Sequence, residues 1–411
     1  YEYSQITSLL STWYRTPYHV GFPKNGNDWE HRYHNGEYFG TNSPYLKLDN
    51  YIARINHEKF KDTQLDAITC RSRFYGHERP HTKFTFRYTA DSRKRLQLKS
   101  FKKNEDNSYI FFYNTLSLPD YLSDKVDHWG YYNNKTRRIN FEDPASLGAG
   151  YYKSRNPDFK YTVAESLEKI VFPTGGYRKF IYEPHIYTTY ISRDRTTGNL
   201  LFRSSRSAGG GLRIKEVIDN FGNRITKKQY SYEDGILNGE PVYYWPDYSG
   251  KTIFGDSYTA VRFFSMSVVP VSSNPAGGAV SYSKVCEKIP GKGKTVYTYS
   301  NHDGFPDEKS VGIDHYATNY SPLSGREILR GKLLEARMYE EGKSRPVKTE
   351  TYDYLIPGNN AKYIKSMYIR RMNVLNSASE IPIDVVDGWA YRIYIHPYNK
   401  VKKTECLYVS G

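Results

Sequence analysis

Long apolar runs are missing from this chain. Hydrophobic residues make up 38% of it, and no run approaches the about 20 residues that cross a bilayer, which excludes a membrane-spanning helix. Cysteine is equally scarce. Cys70, Cys286 and Cys406 lie far apart, with no CxxC and no Cys/His cluster. Neither a structural zinc site nor a disulfide framework is expected, and buried free thiols are the default reading. Helix signals are few, and no long segment has an amphipathic helical period. GxSxG and Walker sequences are absent, which removes the nucleophile-elbow hydrolases and the P-loop NTPases. Gly209-Gly210-Gly211 precedes strand-like text rather than a helix, so it offers no helix N-terminus to a phosphate. A close-approach bend is the better reading. No cofactor, no metal ligand and no catalytic residue is expected. No signal peptide is visible and the first residue is Tyr, not Met. The chain is therefore expected to be processed, trimmed or one piece of a longer protein.

Tyrosine, by contrast, is abundant, at 42 of 411 residues, and aromatics together reach 16%. A repeated unit helps explain this. A Gly-containing turn leads into a strand that ends in two aromatics one residue apart. It occurs as Gly175-Gly176-Tyr177 into Phe180-Ile181-Tyr182, as Gly222-Asn223 into Tyr230-Ser231-Tyr232, as Gly293-Lys294 into Tyr297-Thr298-Tyr299, and as Gly342-Lys343 into Tyr352-Asp353-Tyr354. Alternate residues of a strand share a face, so each unit sets two rings on one side of a sheet. Repetition of the unit implies β-hairpins laid side by side around a ring-rich core. Alternating text at Phe84–Tyr88 and Leu96–Lys99, and the short apolar run Ser108–Tyr113, read as further antiparallel strands. The predicted fold is all-β with few helices. Residues 1–45 read as an irregular N-terminal segment. Residues 46–411 read as one β-rich domain, with a sub-boundary near 118–160. Residues 233–280 read as loop-rich, and Ala378–Val385 as a loop, with Pro382 breaking any helix.

The net charge is +15, which suits an anionic partner: nucleic acid, lipopolysaccharide, an acidic glycan or an acidic protein. Lys and Arg are dispersed, however. The densest groups, Arg93-Lys94-Arg95 and Lys400 with Lys402 and Lys403, read as solvated strand faces and guarded sheet edges. Nucleic acid is disfavoured for that reason. The best-looking chemical cluster is Asp127-His128-Trp129-Gly130-Tyr131-Tyr132, where a carboxylate adjoins an imidazole. Neighbours in a strand face opposite ways, so the preferred reading is structural: Trp129 and Tyr131 plug the core while Asp127 and His128 bond loop backbone. His302 beside Asp303, and His315 beside Asp314, read as solvated loop pairs. Trp13 with Tyr14, and Tyr243-Tyr244-Trp245 with Tyr248, are candidate aromatic platforms for a glycan or a protein partner, against the alternative that they pack loops onto the sheet.

The block Asp127–Asn133, Leu167-Glu168-Lys169-Ile170-Val171-Phe172-Pro173-Thr174-Gly175-Gly176-Tyr177, Phe180–His185, Gly210-Gly211-Leu212-Arg213-Ile214-Lys215 and Gly331-Lys332-Leu333-Leu334 together resemble the RHS/YD-repeat superfamily in its Bacteroidota cell-envelope branch. The resemblance spans roughly residues 45–355 as a pattern. It implies a long sheet of repeats wound into a spiral or shell, and a secreted or outer-membrane-surface setting. The repeat period is degenerate here, with long insertions at 233–280 and 300–330. The self-cleavage motif of toxin-bearing members is not evident, so neither proteolysis nor a toxin is carried over. The expected function is a non-enzymatic surface scaffold that binds another envelope protein or complex, with glycan or lipopolysaccharide contact in second place. The rivals are a polysaccharide-acting enzyme and part of a toxin-encapsulating shell.

Overall fold

A computed structural model of the chain describes residues 2–5, 19–24, 28–33, 63–74, 77–89, 95–119, 123–136, 146–194, 197, 199–245, 248–251, 257–260, 263–264, 278–313, 322–355, 362–375, 382–395 and 400–408. In parts of these, among them 2–33, 72–80, 244–264 and 371–387, only the backbone is described. The described residues are mostly antiparallel β, with two short α-helices among them. It divides into two compact units, Tyr1–Asp124 with Ala164–Tyr177, and Lys125–Val163 with Arg178–Gly411.

The first unit holds β1 (Glu2–Gln5), β2 (His19–Lys24), β3 (Asp28–Tyr33), β4 (Thr63–Phe74), β5 (His77–Tyr88), β6 (Leu98–Lys103), β7 (Tyr109–Tyr113) and β8 (Leu167–Val171). Its sheet runs β1-β4-β5-β6-β7-β8, and β2 pairs with β3. Every pairing is antiparallel. Aromatic side chains line up across the strands, with Phe101 stacked 4.6 Å from Tyr109 and 6.0 Å from Phe86.

The second unit holds α1 (Ser146–Ser154), α2 (Phe159–Thr162), β9 (Tyr177–Arg193), β10 (Leu200–Phe221), β11 (Arg224–Leu237), β12 (Tyr244–Trp245), β13 (Tyr248–Lys251), β14 (Ser257–Ala260), β15 (Phe263–Phe264), β16 (Val280–Ile289), β17 (Gly293–Tyr299), β18 (Val311–Ile313), β19 (Leu333–Tyr339), β20 (Lys348–Tyr354), β21 (Tyr363–Leu375), β22 (Pro382–Tyr394) and β23 (Lys400–Leu407). The main sheet runs β9-β10-β11-β16-β17-β19-β20-β23, and β18-β22-β21 form a separate sheet. In β11 the half-buried Thr226, Lys228, Tyr230 and Tyr232 alternate with exposed Lys227, Gln229, Ser231 and Glu233, the period of a strand with one wet face. Aliphatic burial is small: Ile191, Ile236 and Val242 cluster, with Leu200 against them. The largest fully buried side chains are Trp389, Tyr151 and Tyr243.

The repeated unit has a chemical basis beyond ring packing. Tyr88 donates its hydroxyl to Leu65 O at 2.9 Å, Tyr113 to Leu98 O at 2.9 Å, Tyr232 to Ile214 O at 2.6 Å and Tyr354 to Leu333 O at 2.9 Å. Tyr88, Tyr113 and Tyr354 close their strands and Tyr232 lies inside β11; in each case the bond reaches the preceding strand of the sheet order. A ring of this kind can pack on the sheet while its phenol hydroxyl is bonded to a backbone carbonyl.

Several expectations are corrected. The segment 1–45, read as irregular, carries β1, β2 and β3. Pairing with β4 supplies β1 with partners that its own residues do not advertise. Pro382 opens β22 rather than lying in a loop, because proline is tolerated as the first residue of a strand. The thiols are free, but Cys70 and Cys406 are exposed and Cys286 is half-buried. Burial of one small side chain follows the strand face on which it falls.

Candidate functional site

The Asp127–Asn133 loop builds itself around one carboxylate. Asp127 Oδ1 accepts the amides of Trp129 and Tyr131, each at 2.9 Å. The Asp127 amide donates to Tyr131 O at 2.7 Å, and the Asn133 amide to Lys125 O at 3.1 Å. Gly130 takes φ +90° at the tip, a conformation that costs glycine little. Asn133 then ties the loop to the end of α1, its amide nitrogen donating to Ser154 O at 3.0 Å and Asn156 O at 3.1 Å. Arg155 spans the base. Its guanidinium donates to Asp127 O at 2.7 Å and to the Tyr151 hydroxyl at 3.1 Å, and lies 4.9 Å over the Tyr243 ring.

His128 points into this nest. Its Nδ1 is 2.9 Å from the Tyr243 hydroxyl, and its ring stacks on Tyr243 and meets Trp129 edge-on. Burial holds His128 down to a pKa of about 4, with the Arg155 charge adding to the effect. Burial pushes Asp127 up to about 6, against the pull of the loop amides and Arg155. Asp127 Oδ2 is buried and has no hydrogen-bond partner among the described residues.

The two rings of the loop sit on the glycine run of β10. A Cβ on Gly209 would lie 2.5 Å from the Trp129 ring, and one on Gly211 would lie 2.3 Å from Tyr131. Only hydrogens at these positions let the rings touch the backbone. The glycine triplet is thus the receptor for the loop, although the two are about 80 residues apart in sequence. Burial runs opposite to the expected arrangement. Asp127 is 0% exposed and His128 9%, while Tyr131 is 39% exposed and Trp129 is half-buried. The carboxylate and imidazole are the inner groups, and the rings lie against glycine instead of plugging the core.

Of the aromatic platform candidates, Tyr243 is fully buried, so its ring serves packing and not a surface. Tyr244 and Trp245 form β12 and Tyr248 opens β13, described in backbone alone. Trp13 and Tyr14 lie outside the described residues, as do Glu142, Asp143, Asp314 and His315. His302 is 2% exposed rather than solvated, with Nδ1 3.2 Å from Asn301 Oδ1, and Asp303 beside it is exposed. Among the described residues no group of three or more His, Cys, Asp or Glu side chains is placed to hold a metal ion. Sequence reasoning missed Arg155, Tyr151 and Tyr152 as parts of the nest; no local signal marks them, since their partners come from Asp127 and Tyr243.

No protein-family model matches this chain, and no curated protein matches it.

Proposed function

We propose that the chain is a non-enzymatic cell-surface or secreted β-repeat scaffold, related to the RHS/YD-repeat proteins, that binds another envelope protein or complex. The observation that carries this reading is an apolar row on the small sheet. Val311, Met367 and Ile369 are 79%, 64% and 57% exposed. Val311 and Met367 both pair with Ala390, and Ile369 pairs with the next-but-one residue, Gly388. Directly paired and alternate residues share a face, so the three side chains form one contiguous surface. Apolar surface of this kind, on strands rather than loop tips, suits a protein interface. The acid and imidazole that would serve an enzyme bear on the same reading, since both are buried, Asp127 bonded to amides of its own loop and His128 to the Tyr243 hydroxyl. No helix among the described residues is long and apolar enough to cross a membrane.

The test is recovery of the native complex. Cross-linking followed by mass spectrometry, on gently extracted envelope at modest salt, should return a partner joined near β21 or β18. A monomer by mass photometry under those conditions would count directly against the reading.

A further inference from the structure

A second feature of the larger unit lies away from that apolar row. β11 pairs antiparallel with β10 from Arg224 to Gln229, then turns so that Ile236 and Leu237 pair parallel with Thr189 and Tyr190 of β9. Asp234 sits at the change of partner with φ +54°. Gly235 follows, so close to β9 that a Cβ there would lie 2.5 Å from Ile186 O. The change opens a cleft of about 400 Å³ lined by Thr188, Thr189, Phe202, Asp234, Ile236, Ser283 and Asp303.

The lining is selective in its chemistry. Thr189 and Ser283 offer hydroxyls, Ser283 already accepting from Asn301 Nδ2 at 3.1 Å, while Thr188 donates its own to Gly235 O at 3.4 Å, and the two aspartates offer acceptors. Phe202, 42% exposed, offers a flat apolar ring at one wall. Among the described residues no cation lines the cleft, which disfavours a phosphate or an acidic sugar. Lys284 lies 3.7 Å from Asp234, so the negative charge is partly answered already, which disfavours a cationic guest. Among the described residues no three His, Cys, Asp or Glu side chains converge there to hold a metal ion. What remains is a neutral molecule with hydroxyls on its edge and an apolar face. We propose that this cleft binds one residue of a neutral glycan, a hexose or N-acetylhexosamine. The Phe202 ring stacks on the sugar's apolar face, and Asp234 and Asp303 accept from neighbouring hydroxyls. The volume suits one sugar unit, and hydrogen bonds to charged acceptors are the stronger kind.

The test uses the purified chain. Saturation-transfer NMR and calorimetry would screen glucose, galactose, mannose, N-acetylglucosamine and their disaccharides, with arginine methyl ester and calcium chloride run alongside. One of the saccharides should bind at about millimolar affinity, as expected for a single small subsite. Phe202→Ala and Asp303→Asn should each weaken it about tenfold or more without moving the melting temperature, since both side chains are exposed. A deoxy analogue of the preferred sugar should lose binding in the same measure, because a site built for a hydroxyl rejects its absence. Three outcomes overturn the proposal: no saccharide of the panel binds, binding is indifferent to both substitutions, or arginine methyl ester or calcium binds at these residues in preference. Each leaves the protein-partner reading untouched, because that surface is made by other strands.

Discussion

Tyr232 does two things with one side chain. Its ring takes the Arg213 guanidinium at 4.4 Å and its hydroxyl donates to Ile214 O at 2.6 Å. Burial raises its phenol to a pKa of about 12, so it stays a donor at every physiological pH. Tyr232→Phe keeps the ring and leaves a carbonyl unpaired, and should cost about 1 kcal/mol; Tyr354→Phe should cost about the same. The two sites share no partner, so the double variant should show the sum within a few tenths. Urea denaturation measures this, and unchanged midpoints for both would remove the hydroxyls from any account of the repeat. Gly209 is the complementary case, a residue that matters by having no side chain. Gly209→Ala should destabilise by about 1–3 kcal/mol through overpacking on the Trp129 ring. In a Trp129→Leu background most of that cost should vanish, and a cost that persists there would mean backbone strain and not ring contact.

At the scale of the element, the 127–133 loop carries two buried groups with opposite proton linkage. Asp127 has its folded pKa raised from 3.8 to about 6. Its stabilising contribution is therefore complete below the unfolded value and is lost as pH rises through about 6. His128 has its folded pKa lowered from 6.5 to about 4. Its contribution is complete above the unfolded value and is lost as pH falls towards about 4. The two trends oppose each other, so the wild-type loop should respond weakly to pH across this window. Single substitutions uncover each half. Relative to Asp127→Asn, the wild type should gain up to about 3 kcal/mol as pH falls from 6 to 4. Relative to His128→Gln, it should lose stability over the same interval. Thermal melts at four or five pH values suffice, and parallel curves for all three proteins would sink the assignment. This loop was legible in the sequence as a motif, and the glycine run as a close-approach bend. That the two are halves of one contact was not legible. The partners are brought together by the path of β10, and Arg155 and Tyr243 join them from positions with no local pattern. Asn25-Gly26, between β2 and β3 in the sequence, is the kind of dipeptide that announces a hairpin. Reading it would have placed two strands in a segment taken as irregular.

For the whole molecule, alternation and turn chemistry were enough to give an all-β, mostly antiparallel structure, because each hairpin is specified by residues a few positions apart. The small sheet escaped that reading. β18 and β22 are about 75 residues apart in sequence, and their apolar row breaks the alternation that marks a strand with one wet face. That row and the charge of +15 should act on different steps of association. Charge steers encounter and is screened by salt, whereas apolar contact holds the complex once it has formed. Capture of the partner should therefore slow as salt rises, with little change in dissociation. Met367→Asp and Ile369→Asp should do the reverse. Loss of apolar contact at the centre of an interface appears mainly in the off-rate, by about tenfold or more for each side chain that is buried there. Both side chains are exposed in the free protein, so neither substitution should lower its melting temperature. Surface-plasmon measurements with the cross-linked partner would resolve the two rates. If both variants dissociate like wild type, the row lies outside the interface, and the positive charge, rather than apolar burial, holds the assembly together.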